Sequence, residues 1–198
     1  MCPMKTFFCD ISTVSDEEFV HRFSVMSEER KDRCRRLRHA EDQKRCITAD
    51  FLIRTAVGEA LNLAPQDVVY ENADSGKPQI KGNPFYFSVS HSADQVVCCI
   101  AEGPVGVDIE KHRPVLVAAQ ERICTKEEWD YLNAAEGEEE RSLRFFALWT
   151  RKEAIFKLDG VLPRKDQEIP ALHPETLGIR VETKQLGDYT LSTAELIV

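Results

Sequence analysis

Hydrophobic positions along the chain predict most of its secondary structure. Apolar and polar residues alternate over 85–90 and an apolar run follows at 96–101, which is the pattern of a β-hairpin. Apolar residues recur at helical spacing over 41–61 and 142–158, which predicts two long amphipathic helices. The other predicted strands cover 5–11, 68–70, 105–110, 177–183 and 189–198, and shorter helices are predicted at 15–23, in the basic stretch after Ser27, at 114–124 and at 125–134.

The order of the predicted elements occurs twice. A strand, short helices, a long helix and further strands precede residue 103, and the same order follows Gly103-Pro104. We therefore expect an α+β fold of two similar halves, residues 1–103 and 104–198, although the repeat is one of predicted structure and not of residues. The stretch 159–174 contains three prolines and is predicted to be irregular.

The composition is that of a soluble globular protein. The 198 residues are 42% hydrophobic and 30% charged, which excludes disordered and collagen-like chains. The longest apolar run, 96–101, is far shorter than the ~20 residues of a membrane-spanning helix. The N-terminal residues lack the order of a secretory signal, and seven cysteines without metal-type spacing fit reduced, buried thiols. We therefore expect a cytoplasmic protein without a membrane partner.

Positive charge is concentrated in one stretch of an acidic chain. Residues 30–45 contain eight Lys/Arg and three Asp/Glu, a net charge of +5, whereas the whole chain carries −8. An acidic molecule with one short basic stretch suits a small anionic ligand better than a nucleic acid. The structural alternative is a solvated helix face.

Three acidic residues are the strongest candidates for chemistry. Asp108 and Glu110 lie two apart at the end of a predicted strand and therefore point to the same side. Glu153 interrupts the apolar face of the second long helix. Carboxylate oxygens suit Mg²⁺, whereas a solvated strand end and a Glu153–Lys157 pair are structural alternatives. The apolar residues of that helix face are Phe146, Trp149 and Phe156.

Three further residues, taken one at a time, do not indicate a function. Ser90 and His91 are neighbours in a strand and face opposite sides, which argues against a nucleophile–base pair. His91 among hydroxyl groups suits donation to an anion, or a structural hydrogen bond. Lys77, in a predicted turn over 74–78, is by itself an ordinary surface lysine.

Four motifs together resemble one enzyme family. Their order and spacing are similar to those of 4'-phosphopantetheinyl transferases of the surfactin-synthetase-activating type, and the resemblance extends from Ser27 to about Lys157. In chain order the motifs are Gly76-Lys77-Pro78, Phe87-Ser88-Val89-Ser90-His91-Ser92, Gly106-Val107-Asp108-Ile109-Glu110 and Trp149-Thr150-Arg151-Lys152-Glu153-Ala154-Ile155-Phe156-Lys157.

The resemblance implies an activity and an architecture. The enzyme would transfer phosphopantetheine from coenzyme A to a serine of an apo acyl or peptidyl carrier protein and release 3',5'-ADP. The fold would be a pseudo-dimer of two α+β halves with the active site at their interface, and the three carboxylates would come from separate halves. A duplicated chain that contains both walls of its cleft predicts a monomer. The ion would be Mg²⁺, with Mn²⁺ as a substitute, and catalysis would rest on positioning and electrostatics.

The resemblance also implies a role for each motif residue. Asp108, Glu110 and Glu153 would hold the metal ion on the pyrophosphate of coenzyme A. Lys157 would meet the charge that grows on the leaving phosphate. The residues implied around the nucleotide and its phosphates are Arg30, Arg33, Arg45, Lys77, Ser90 and His91.

Two features leave alternatives open. Glu128 matches a family position that could serve as general base for the carrier serine, but the spacing from Thr125 to Glu128 is also that of a helix capping box. After Lys157 the family usually has a Gly-x-Gly loop, whereas this chain has Leu158-Asp159-Gly160-Val161. A side chain in place of a glycine would alter pantetheine positioning or carrier access.

Two other functions compete with the transferase. One is a non-catalytic module that binds coenzyme A or a carrier protein, and the other is nucleic-acid binding through residues 30–45. The presence of all three carboxylates and of Lys157 favours the enzyme.

Overall fold

A three-stranded antiparallel sheet with one long helix packed against it occurs in each half of the chain. The computed structural model describes residues 4–72, 78–80, 82, 85–158 and 169–197. Its contacts divide the chain into two units, Met1–Gly103 and Pro104–Val198.

The N-terminal unit is built on a three-stranded sheet in the order β1 (Lys5–Asp10), β5 (Gln95–Ala101), β4 (Tyr86–Ser92), and helix α3 (Ala40–Leu61) packs against it. Strands β4 and β5 form the predicted hairpin, with a turn at Ala93 and Asp94. Helix α3 buries its apolar face against this sheet, where Ile53 and Val57 share a core with Val96. The elements are β1 (Lys5–Asp10), α1 (Asp16–Ser24), α2 (Glu28–Arg35), α3 (Ala40–Leu61), β2 (Glu71–Asn72), β3 (Pro78–Gln79), β4 (Tyr86–Ser92) and β5 (Gln95–Ala101).

Local signals explain where these helices begin and end. Ser15 and Ser27 accept the backbone N–H groups three residues ahead and so cap α1 and α2. Helix α3 ends at Asn62, which adopts the left-handed conformation with φ 54°. No strand forms at the predicted 68–70: the carbonyl of Val68 accepts from the Arg54 guanidinium at 2.8 Å, and the next strand begins at Glu71.

The C-terminal unit repeats this plan with a sheet in the order β6 (Val105–Lys111), β8 (Tyr189–Leu196), β7 (Ile179–Leu186). In both units a first strand is followed by helices, then by a hairpin whose second strand lies in the middle of the sheet. This confirms the predicted α+β fold with two similar halves. The elements are β6 (Val105–Lys111), α4 (Val117–Ile123), α5 (Lys126–Asn133), α6 (Glu138–Phe156), β7 (Ile179–Leu186) and β8 (Tyr189–Leu196).

Helix α6 is the long helix of this unit. It begins at Glu138, earlier than predicted, because three glutamates occupy its first turn and favour the positive end of the helix dipole. Ala154 and Ile155 pack with Ile179 of β7, and the hydroxyl groups of Thr150 and Ser192 lie 2.8 Å apart. Phe156, predicted to lie on the apolar face, is half exposed. No helix in the described ranges is long and apolar enough to span a membrane.

The cysteines agree with the prediction of reduced thiols. The six cysteines that the structure describes, all except Cys2, are free. Cys98 and Cys99 are fully buried in β5, and burial raises the pKa of the Cys98 thiol. Cys98 is therefore a packing residue of the N-terminal core.

Candidate active site

Strand β6 carries two of the three carboxylates. Asp108 is only 4% exposed and Glu110 is partly buried. Both lie on the same side of the strand because they are two residues apart. A buried carboxylate is unfavourable unless a charged or polar group compensates it, so the contacts of these two residues define the site.

Gly106 allows helix α6 to approach β6. A Cβ atom at this position would lie 1.9 Å from the carbonyl oxygen of Ala154. Only glycine permits two backbones to come this close. The approach brings the last turns of α6, with Glu153 and Lys157, beside Asp108.

The ammonium group of Lys157 is a direct partner of Asp108. Lys157 Nζ donates to Asp108 Oδ1 at 2.7 Å and to the carbonyl of Val107 at 3.1 Å. Lys157 is the C-cap residue of α6, so the ion pair joins the end of the helix to the strand. The side chain of Lys157 keeps 25% of its surface exposed.

Glu110 is held by two residues that the sequence did not single out as its partners. Arg113 Nη1 donates to Glu110 Oε2 at 2.9 Å, and the Trp149 indole N–H donates to Oε1 at 3.3 Å. A sequence signal exists for Trp149, because it precedes Glu153 by four residues and therefore shares its helix face. Arg113 follows Glu110 by three residues, after the strand has ended, where spacing alone predicts no contact.

Glu153 is electrostatically coupled to the two strand carboxylates. Burial raises the pKa of Glu153 above its ordinary value, the Asp108 and Glu110 carboxylates raise it further, and the Lys157 ammonium opposes them. The structure therefore brings together Asp108, Glu110, Glu153 and Lys157, which lie up to 49 residues apart in the chain.

The donor chemistry of this cluster fits a hard divalent cation. All three acidic side chains offer carboxylate oxygens, which are the ligands that Mg²⁺ takes in proteins. Three carboxylates outnumber the Lys157 ammonium and the Arg113 guanidinium, and a cation would offset the remaining negative charge. Within the described part of the chain, no group of three His, Cys, Asp or Glu side chains is already arranged to hold a metal ion. The ammonium of Lys157 is the cation that Asp108 contacts instead.

The three carboxylates all belong to one unit. Strand β6 and helix α6 both lie in Pro104–Val198. The expectation that the carboxylates come from separate halves of the chain is therefore wrong, because both elements that carry them follow Gly103.

Glu128 lies in a different, buried cluster. Its Oε2 accepts the Thr125 backbone N–H at 2.8 Å and lies 2.8 Å from Lys152 Nζ, while Oε1 accepts the Ala171 N–H at 3.0 Å. The Thr125 hydroxyl accepts the Glu128 N–H in return, which completes the capping box. Glu128 is 1% exposed and both its oxygens are engaged. The structure thus shows Glu128 in the capping box and in a buried ion pair, and its role as general base stays a prediction.

Some residues expected around a nucleotide come together within the N-terminal unit. Ser90 is buried and His91 is exposed, which is the alternation expected of neighbours in β4. Arg45 Nη1 donates to the carbonyl of Ala93 at 2.9 Å, in the turn that follows His91. The Arg45 hydrogen bond lowers the pKa of the Asp42 carboxyl, and the charge of His91 contributes to the same shift.

Arg30 does not join this group as a free cation. Arg30 Nε donates to Asp50 Oδ1 at 3.2 Å, and Asp50 is fully buried. Arg54 and Tyr70 also bond to the Asp50 carboxylate. A phosphate that bound Arg30 would have to compete with this internal pair, and the phosphate-binding role of Arg30 stays a prediction.

The remaining predicted residues have simpler outcomes. Arg33 is exposed on α2, and its contact with a nucleotide stays a prediction. Lys77 and most of the predicted turn around it lie outside the described residues, as do Asp159, Gly160 and Val161 of the altered glycine loop.

Known sequences match both units of this chain. Residues 104–194 match the 4'-phosphopantetheinyl transferase superfamily, and residues 13–102 match the N-terminal region of 4'-phosphopantetheinyl transferases. The chain is 32% identical over 162 residues to the 4'-phosphopantetheinyl transferase psf-1 of Bacillus pumilus, which covers 79% of this chain and 69% of that relative. The chain belongs to the 4'-phosphopantetheinyl transferase superfamily.

Other members of the superfamily give the same result at similar distance. The chain is 33% identical over 148 residues to the 4'-phosphopantetheinyl transferase Sfp of Bacillus subtilis (strain 168), which covers 74% of this chain and 66% of Sfp. It is 29% identical over 161 residues to the 4'-phosphopantetheinyl transferase HetI of Nostoc sp., which covers 76% of this chain and 67% of HetI. The match to Sfp thus spans just under two thirds of that relative.

Proposed function

We propose that this chain transfers the 4'-phosphopantetheine group of coenzyme A to a serine of an apo acyl or peptidyl carrier protein and releases 3',5'-ADP. The observation that carries the proposal is the cluster of Asp108, Glu110, Glu153 and Lys157 in a member of this superfamily. Three carboxylates can hold a cation on the diphosphate of coenzyme A, and the ammonium can offset negative charge on the leaving phosphate. Both effects favour a reaction that breaks the bond between the two phosphates.

In this proposal Mg²⁺, or Mn²⁺ in its place, is held by Asp108, Glu110 and Glu153. The ion, when bound, supplies Lewis-acid polarisation of a phosphoryl oxygen. Arg113 and Trp149 orient Glu110 through their hydrogen bonds to its two oxygens. The indole and guanidinium groups thereby fix a side chain that would otherwise sample several rotamers.

Lys157 is the group proposed to meet negative charge on the departing 3',5'-ADP. Its ammonium is a compact, mobile charge on a flexible stem, and it lies within hydrogen-bond distance of the carboxylate cluster. In the N-terminal unit, exposed His91 and the neighbouring Arg45 are proposed to bind phosphates of coenzyme A, together with Lys77 and Arg33. Ser90, which is buried in the same strand, is also proposed to lie around the nucleotide and its phosphates.

The experiment that tests the proposal is intact-mass analysis of apo carrier proteins after incubation with coenzyme A and Mg²⁺. Transfer adds the mass of one phosphopantetheine group to the carrier, and a chelator abolishes the addition. A folded chain that leaves a panel of fatty-acid, polyketide and peptide carriers unmodified contradicts the proposal. A protein that binds coenzyme A equally with Mg²⁺ and with chelator, and modifies no carrier, is a binding module instead.

The setting of the enzyme is part of the same proposal. We propose a cytoplasmic monomer that binds no nucleic acid. Sedimentation at micromolar concentration tests the monomer, and oligonucleotide binding at low salt tests the exclusion of nucleic acid, since such binding is strongest there.

A further inference from the structure

The Lys157 ammonium and a divalent cation compete for the same carboxylate. Lys157 Nζ lies 2.7 Å from Asp108 Oδ1 and is also held by the carbonyl of Val107 at 3.1 Å. A cation bound to Asp108 would therefore stand a few ångströms from a positive charge. At such distances like charges repel strongly, above all at a buried carboxylate.

The geometry of Lys157 allows the ammonium to leave without unfolding the site. Lys157 is the C-cap residue of α6 and its side chain is 25% exposed. Rotation about its four-carbon stem moves the charge by several ångströms while the helix stays in place. The remaining carboxylates, Glu110 and Glu153, belong to rigid elements and stay where they are.

We propose that Lys157 is the resident counter-ion of the carboxylate cluster and that a divalent cation displaces it, which releases the ammonium toward phosphate. Binding of the released ammonium to phosphate rests on the proposed function, whereas displacement of Lys157 by the cation does not. The exchange makes the cluster bind metal weakly until the ammonium has another anion to bind. One residue thereby couples metal binding to substrate binding.

The test is a titration of the purified full chain with Mn²⁺ in the absence of coenzyme A, followed by the electron paramagnetic resonance signal of free Mn²⁺. Removing the competing charge with Lys157→Gln is expected to lower the Mn²⁺ dissociation constant by about tenfold. Lys157→Arg keeps the charge and adds a second hydrogen bond to the carboxylate, so its Mn²⁺ affinity is expected to equal or fall below that of the wild type.

Lys111→Gln is the matched control. Lys111 follows Glu110 directly, and its ammonium lies near Asp188 and over the Tyr189 ring. Its loss changes the net charge by the same amount, so a general charge effect would tighten Mn²⁺ binding equally in both Gln variants. We expect the change in Lys111→Gln to be much smaller.

Thermal unfolding with and without Mg²⁺ is a second test of the displacement of Lys157 by a cation. Without metal, Lys157→Gln removes the charge that Lys157 places beside Asp108, so this variant is expected to unfold at a lower temperature than the wild type. Addition of Mg²⁺ is expected to raise its midpoint more than that of the wild type, because binding to the folded state stabilises it in proportion to affinity.

Three orders of Mn²⁺ affinity would overturn the inference. They are unchanged or weaker Mn²⁺ binding by Lys157→Gln, tighter binding by Lys157→Arg, and equal tightening by Lys111→Gln. Absence of Mn²⁺ binding in every variant overturns it as well. A carrier that gains no mass while Mn²⁺ binding follows the expected order removes the proposed transfer and leaves the counter-ion exchange standing.

Discussion

Glu128 and Lys152 form a buried ion pair that joins helix α5 to helix α6, with Oε2 and Nζ 2.8 Å apart. The same two side chains hold the returning chain, because Lys152 donates to the carbonyl of Ile169 at 2.9 Å and Glu128 accepts the N–H of Ala171. Three segments of the C-terminal unit therefore meet on one pair of charges.

This pair predicts the outcome of Glu128→Gln. The amide keeps the shape of the side chain but leaves the Lys152 charge uncompensated in a buried place, so we expect a loss of about 3 kcal/mol of unfolding free energy. Turnover per folded molecule is expected to stay near that of the wild type, because both carboxylate oxygens are already engaged by Thr125, Lys152 and Ala171. Denaturant unfolding and a carrier-transfer assay at low temperature measure the two effects.

Glu127→Gln is the control for this prediction. Glu127 is the neighbouring acid of α5, is exposed, and pairs with His173, so its replacement is expected to change stability little. If Glu128→Gln lowered turnover per folded molecule at least a hundredfold with little loss of stability, Glu128 would be the general base after all.

The contact of Gly106 with α6 predicts a severe effect of Gly106→Ala. The new Cβ would overlap the carbonyl of Ala154, so strand and helix must separate, and we expect a loss of about 3 kcal/mol or more. Gly103→Ala is the control, since nothing lies within 4 Å of a Cβ there. Thermal midpoints of the two variants make the comparison, and equal midpoints would refute the close approach.

Asp108→Asn tests the carboxylate cluster. The amide is nearly isosteric and can still accept the Lys157 hydrogen bond, so the fold is expected to persist. Transfer is expected to fall about a hundredfold or more, because an amide is a poorer ligand for a cation and a weaker electrostatic partner. Asp188→Asn, at an exposed acid of the same unit, is expected to retain activity. Full transfer by Asp108→Asn would remove this residue from the site.

His173 predicts a small pH dependence of stability. Its ring nitrogens lie 3.0 Å from Glu127 and 3.4 Å from Glu175, and the hydrogen bond and charge of Glu127 raise the pKa of His173, with Glu175 adding to the effect. Because the folded state favours the protonated ring, the stabilisation is complete below the unfolded pKa of about 6.5 and is lost as pH rises through the folded pKa.

His173→Gln isolates this contribution. Denaturant unfolding of the wild type and the variant across the range from slightly acidic to alkaline pH should give a difference that is largest at the acidic end and disappears at the alkaline end. A histidine ring that titrates in nuclear magnetic resonance at or below about 6.5 would contradict the prediction.

Sequence patterns identified the elements that carry the candidate site because the relevant signals are local. Alternation in β6 put Asp108 and Glu110 on one side, and helical spacing put Glu153 on a face with Trp149. The capping box at Thr125 was likewise visible as a spacing. These features depend on residues close in the chain, so periodicity can report them.

The partners of these residues could not be predicted, because they depend on how distant segments pack. Nothing in the sequence indicates that Lys157 bonds Asp108 49 residues earlier, or that Glu128 receives Lys152. Arg30 shows the same limit, since its position in a basic stretch indicates a ligand, whereas Asp50, on the next helix, compensates its charge.

Several Lys/Arg residues of the basic stretch 30–45 form ion pairs with acidic residues nearby in the chain. Arg35 pairs with Asp32, Lys44 with Glu41 and Arg45 with Asp42, each within one helical turn, and Lys31 pairs with Glu28. Opposite charges at this spacing cancel one another beyond a Debye length, about 8 Å at physiological ionic strength. An anion far from the surface therefore meets a weaker positive field than eight Lys/Arg would give, and it meets a full positive charge only when it is close enough to exchange partners with an individual arginine.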